Sequence, residues 1–225
     1  MSKIFVVDGT DGSGKQTQIE KLCSRMEAEG IPYAKYAFPR YENPSSTLVK
    51  MYLAGEFGSN AQEINPYITS LFYAVDRYAC YKQEMEKAIE DGKVILLDRY
   101  TTANMVHQAG KISDLAERDK FLDWLYELEF GLIGLPLPTE VFFLDMPLEK
   151  AKELMANRPN KITHEKKKDI HESSEEHLKA AYNAGVYVAE KYHWYHVLCC
   201  AEDGSVRPID EIHEEIYSEI KKHIC

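Results

Sequence analysis

Gly9-Thr10-Asp11-Gly12-Ser13-Gly14-Lys15-Gln16, followed by Thr17, has the residue types and spacing of a phosphate cradle: two glycines separated by four residues, with a lysine directly after the second. Glycine lets the backbone turn tightly so that successive N–H groups face an anion. The helix that follows adds the positive end of its dipole, and the Lys15 ammonium reaches the outer phosphates of a nucleotide. The position after this lysine ordinarily holds Ser or Thr as a magnesium ligand. Here it is Gln16, so either its amide oxygen or bound water takes that role, or the metal leans on other ligands.

A second group lies in Val94-Ile95-Leu96-Leu97-Asp98-Arg99-Tyr100, an apolar run ending in Asp98. At the carboxyl edge of a strand, Asp98 can hold Mg2+ through water, and the planar Arg99 guanidinium can brace transferring phosphate oxygens. A third is the stretch from 157 to 169, in which Arg158, Lys161, Lys166, Lys167 and Lys168 stand against Glu165 and Asp169. It is basic within an acidic chain, and it interrupts the helical rhythm around it.

Positioning these groups requires a sheet. The chain has 225 residues, 44% of them hydrophobic, enough to bury a full core. Short β-branched runs at 3–8, 33–38, 93–98, 140–145 and 195–200 alternate with helical signals at 14–29, 45–54, 63–90, 115–130, 147–156, 172–192 and 208–224. This alternation predicts an α/β fold with five parallel strands, covered on both faces, in a three-layer sandwich. Leu71, Val75, Tyr78 and Met85 recur at helical spacing and predict the core face of the long third helix.

The formal net charge of −10 disfavours adhesion to nucleic acid or anionic membranes. No apolar run approaches a membrane span, the amino terminus leads straight into a strand, and five scattered cysteines suggest reduced thiols. The expectation is a soluble, cytoplasmic protein. His193, His196, Cys199 and Cys200 have zinc-binding residue types, but a buried strand would turn the last two to opposite faces, and a structural role is expected. His171 and His177 are expected on the exposed face of a helix.

With these residues assembled, the sequence resembles the thymidylate kinases, P-loop nucleoside-monophosphate kinases that move the γ-phosphoryl group of ATP onto dTMP. The resemblance spans nearly the whole chain and rests on DGTDGSGKQTQ, FPRY at 38–41, LFYAVDRY at 71–78, DRYTTANMVHQ at 98–108 and DIHE at 169–172. It implies a single domain over 1–225, a lid at about 157–171, Mg2+ as cofactor, ATP and dTMP as substrates, and a homodimer.

The resemblance also implies roles. Gly9 to Thr17 would hold ATP, with Asp98 and Gln16 on the metal side. Arg40 would grip the acceptor phosphate, with Phe38 beside it. Arg77 would reach the thymine carbonyl, and Tyr73, one turn earlier where the family usually has Phe, would stack on the base. Asn104 would address the pyrimidine edge, and His107 would stand where an aromatic often blocks a ribose hydroxyl. Asp11 and Glu172 would lie near the acceptor. The cradle lacks the arginine that some members carry, so lid cations, Arg158 with Lys161, would compensate. Lys15, Arg99, Asp98, Asp11 and Arg158 form the expected catalytic set. The alternatives are a P-loop kinase for another nucleotide or a nucleoside, and a nucleotide-binding regulator without transfer. Arg40 favours a phosphorylated acceptor, and Arg99 with the lid favours transfer.

Overall fold

The computed structural model describes residues 3–58, 60–155 and 175–224. The expected lid at 157–171 lies outside the described residues, as do Arg158, Lys161, His171 and Glu172.

Five strands, β1 (Ile4–Asp8), β2 (Tyr33–Ala37), β3 (Val94–Asp98), β4 (Glu140–Asp145) and β5 (Tyr195–Leu198), form one parallel sheet in the order β2-β3-β1-β4-β5. β1 is central, so its alternating side chains feed both layers. Phe5 and Val7 pack with Leu96, Phe142 and Leu144. Ile4 and Val6 pack with Ile95, Leu97 and Val141 on the opposite face. The first layer is closed by α1 (Lys15–Ala28), through Ile19, Leu22 and Met26, and by α9 (Ile209–Ile224), through Ile212, Ile216, Tyr217 and Ile220. Both helices present these residues at helical spacing. The three-layer α/β expectation holds, but covering on both faces applies to β1, β3 and β4. The edge strands β2 and β5 carry half-buried and exposed residues, because each has a neighbour on one side alone.

The remaining helices are α2 (Thr47–Leu53), α3 (Pro66–Cys80), α4 (Glu86–Glu90), α5 (Thr101–His107), α6 (Leu115–Tyr126), α7 (Leu148–Met155) and α8 (Glu175–Lys191). The single helix expected over 63–90 begins instead at Pro66. Asn65 accepts from the Tyr67 and Ile68 amides at 2.9 and 3.4 Å, a polar cap followed by a proline whose ring suits the first turn. It then passes through a π-helical turn at Tyr81–Met85. A second π-helical turn, Glu127–Leu132, extends α6. A helix not expected from the sequence pattern, α5 at Thr101–His107, follows directly after β3.

α3 also reverses an expectation. Met85 is buried, but Leu71, Val75 and Tyr78 are 37, 55 and 47% exposed, and Ile68 continues the same stripe at 49%. The face of α3 turned inward carries Thr69, Ser70, Asp76 and Arg77. Periodicity distinguishes two faces of a helix but does not say which one is inside. On that inward face Asp76 is met by Arg40 and Ser45, and Arg77 by Glu129 and the Tyr100 carbonyl.

Candidate active site

The cradle bridges β1 and α1. At Gly12 (φ 84°) the backbone is left-handed, and a Cβ there would collide with the Ala151 carbonyl oxygen of α7. At Gly14 (φ 94°) space is open, and it is the backbone conformation before the first turn of α1 that requires glycine. Lys15 is buried in the loop, donating from Nζ to the carbonyls of Gly9 at 2.9 Å and Thr10 at 2.7 Å. Ser13 N–H closes the turn on the Thr10 carbonyl at 3.2 Å. Gln16 is exposed and donates from Nε2 to Glu20 at 2.9 Å.

Register brings the second group alongside. Val7 of β1 stands opposite Asp98 of β3, so the two strands release their chains at the same edge of the sheet. Asp8 there is fully buried, accepting from the Gly9 amide at 2.7 Å and from the Thr102 hydroxyl. Burial raises its pKa, while the Arg99 and Lys15 cations pull in the opposite direction. Arg99 adopts φ 65°, uncommon for a residue with a side chain, and its guanidinium donates to Asp11 of the cradle. Burial works against its charge, but Asp11, Asp8 and Asp98 together raise its pKa, so it stays cationic.

From Arg99 a cleft opens between α3 and α5. Phe38, Pro39, Tyr73, Arg77, Arg99, Tyr100, Ala103, Asn104, His107 and Gln108 line it. Tyr73 and Arg77, one turn apart, share a face of α3, and Tyr73 meets Tyr52 edge-on at 6.4 Å. Asn104 donates to the Ser70 carbonyl at 3.2 Å. Phe38 precedes a cis peptide bond to Pro39 and packs 6.0 Å from Tyr100. His107 stacks on His177 of α8, ring centres 5.7 Å apart. His177 is thus buried against the site, contrary to the exposed placement expected for it, because α5 and α8 pack closely around the pair.

Arg40 and Arg77 are both held by carboxylates. Arg40 donates from its backbone N–H to Asp76 at 2.8 Å, and from its guanidinium to Asp76 at 3.4 Å, Glu84 at 2.9 Å and the Ser45 hydroxyl at 3.2 Å. Glu84 belongs to the first π-helical turn. Arg77 is held by Glu129 of the second, its Nε donating to Oε2 at 2.6 Å and its Nη2 to Oε1.

The structure therefore gathers Phe38, Tyr73, Arg77, Arg99, Asn104 and His107 around one cleft and joins it to the cradle through the Arg99–Asp11 pair. Arg40 stands beside that wall. Sequence reasoning missed Asp8, Tyr100, Gln108 and Glu129. The first had a readable signal, an apolar strand ending in Asp as at Asp98. Gln108 lines the cleft and is buried, and its Oε1 has no hydrogen-bond partner among the described residues. Glu129 meets Arg77 from 52 residues away, and no local pattern announces it.

His196, one of the zinc-type residues, contacts Asp145 at 2.8 Å, and Cys199 is buried in the core. For magnesium the donor chemistry fits: Asp98 offers hard carboxylate oxygens beside the cradle, and Mg2+ takes one or two carboxylates, completing its shell with water and phosphate.

Comparison with known proteins adds independent support. The family model described as thymidylate kinase matches residues 7–192. Thymidylate kinase of Mycobacterium tuberculosis (strain CDC 1551 / Oshkosh) is 30% identical over 156 residues, 69% of this chain and 71% of its own. Thymidylate kinase of Arabidopsis thaliana is 27% identical over 67% of this chain and 51% of its own. Thymidylate kinase of Fervidobacterium nodosum (strain ATCC 35602 / DSM 5306 / Rt17-B1) is 24% identical over 93% of both. With the cradle, the conjoined cleft and the matching span of sequence in agreement, this chain belongs to the thymidylate kinase family.

Proposed function

We infer that this chain transfers the γ-phosphoryl group of ATP to dTMP, yielding ADP and dTDP. The observation that carries the reading is the Arg99–Asp11 pair, which puts a cation of the cleft against the phosphate loop. Two nucleotides can then meet phosphate to phosphate. A phosphate oxygen is already nucleophilic, so catalysis rests on in-line positioning and charge neutralisation rather than on covalent participation.

Lys15 and the loop N–H groups hold the donor phosphates. Arg99 neutralises charge on the transferring group, with Asp11 fixing its direction. Arg40 holds the acceptor phosphate. Tyr73 and Phe38 stack and flank the base, Arg77 and Asn104 read its edge, and His107 borders the sugar. Arg158 and Lys161 from the lid segment, and Glu172 just after it, belong to the same assignment. Mg2+, when bound, neutralises phosphate oxygens, and Asp98 through water, with Gln16, would hold it.

Among the described residues no helix is long and apolar enough to cross a membrane. The described cysteines Cys23, Cys80, Cys199 and Cys200 are free thiols, in keeping with a cytoplasmic setting. The apolar stripe Ile68, Leu71, Val75 and Tyr78 on α3 supports a homodimer through that face.

Purified protein given ATP with dTMP, dUMP, dCMP, dGMP or thymidine tests the activity by ADP release. Preference for dTMP is expected. Transfer to thymidine but not dTMP would make it a nucleoside kinase, and nucleotide binding without ADP from any acceptor would make it a regulator.

A further inference from the structure

Arg77 is 1% exposed and Glu129 fully buried, so their ion pair sits out of water at the wall of the cleft. A buried pair of this kind adds little net stability, because desolvating both charges offsets their attraction. An apolar pair would fill the space as well. What the carboxylate does accomplish is directional. Glu129 takes Nε and Nη2 of Arg77, the Tyr100 carbonyl takes Nη1 at 3.3 Å, and three of the five guanidinium N–H groups are thereby committed, leaving two for a ligand.

Glu129 also accepts from the Thr101 hydroxyl at 2.7 Å, at the head of the helix that carries Asn104 and His107. One carboxylate thus ties both walls of the cleft together. It does so from a π-helical turn, a form that recurs at functional sites.

We propose that Glu129 is a positioning residue for acceptor selection. By clamping Arg77 it aims donor-only N–H groups at the base, favouring a pyrimidine with a carbonyl there over one with an amino group. This rests on the reading above that Arg77 faces the acceptor base.

The test is steady-state kinetics with dTMP and dCMP on wild type, Glu129→Gln, Glu129→Asp, Arg77→Gln and the Arg77→Gln/Glu129→Gln double variant. Glu129→Gln should raise KM for dTMP by about tenfold to a hundredfold, the scale of a lost charged hydrogen bond. Its kcat and its KM for ATP should stay within about threefold, and its dTMP-over-dCMP preference in kcat/KM should narrow by about tenfold. Glu129→Asp should recover part of the loss, and the double variant should be no worse than Arg77→Gln alone.

Unchanged dTMP preference in Glu129→Gln overturns the role of Glu129, as does an equal loss in KM for both substrates. Should Glu129→Gln not fold, Arg77→Met/Glu129→Leu supplies an apolar replacement, and wild-type preference in that protein also overturns the proposal. A wild type that prefers dCMP or shows no preference removes the reading of the cleft itself, an outcome distinct from failure of Glu129 alone.

Discussion

Lys15 and Arg99 show how far a single residue can be read. Their types and positions imply phosphate chemistry, and the fold adds what holds them: loop carbonyls for Lys15 and Asp11 for Arg99. Replacing Lys15 with Ala removes a preorganised cation from a largely water-excluded loop. Turnover with dTMP should fall by about a hundredfold to a thousandfold or more, measured by coupled ADP release. Lys15 Nζ donates to the backbone carbonyls of Gly9 and Thr10, so circular dichroism should match wild type; a wild-type rate in that variant would remove the cradle from the mechanism. For Arg40 and Arg77 the resemblance implies a phosphate and a base contact, and the fold shows what holds each guanidinium. Their carboxylate partners Asp76, Glu84 and Glu129 were not legible in the sequence, because an ion pair formed across the fold leaves no trace in local spacing.

At the scale of elements, α3 carries the most information. Its inner face brings Tyr73 and Arg77 to the cleft, while its outer face exposes Ile68, Leu71, Val75 and Tyr78 in a helical stripe. The homodimer proposed above uses this stripe, since exposed contiguous apolar surface favours association. Leu71→Glu/Val75→Glu should convert the protein to a monomer in sedimentation velocity, with the folded signal retained because neither side chain is buried. Wild type sedimenting as a monomer at micromolar concentration would refute the dimer, and a dimeric variant would place the interface elsewhere. The π-helical turns at 81–85 and 127–132 illustrate the limit of sequence reading, since one extra residue per turn barely disturbs a 3.6-residue pattern yet redirects Glu84 and Glu129 onto arginines.

For the whole molecule, the parallel sheet delivers Asp8 and Asp98 to one edge, and α5 and α8 clamp His107 on His177 beside it. Burial holds the His177 pKa down to about 4, with Lys111 lowering it further and Asp11 opposing. Burial likewise pushes His107 well below its usual range, with Arg99, His177 and Lys15 adding to the effect and Asp11 opposing. Both histidines fold neutral, so between their folded and unfolded pKa values the unfolded chain binds more protons. Their contribution is fully present above about pH 6.5 and declines as pH falls toward 4. For His177 alone the loss approaches about 3 kcal/mol. Thermal melting between pH 7 and 4.5 should show this decline, and His177→Phe should flatten it. An identical slope in that variant would refute the assignment.

The sequence by itself determined the strands, the phosphate loop, the order of the motifs and the class of chemistry, because backbone turning, strand burial and phosphate binding depend on residues close together in the chain. The tertiary structure alone decided which face of α3 is inside, that His177 is buried, and which carboxylates hold Arg40, Arg77 and Arg99. Those outcomes depend on which surfaces and charges meet across dozens of residues, and a buried polar group is tolerated where such a partner exists. Local patterning carries no record of that partner.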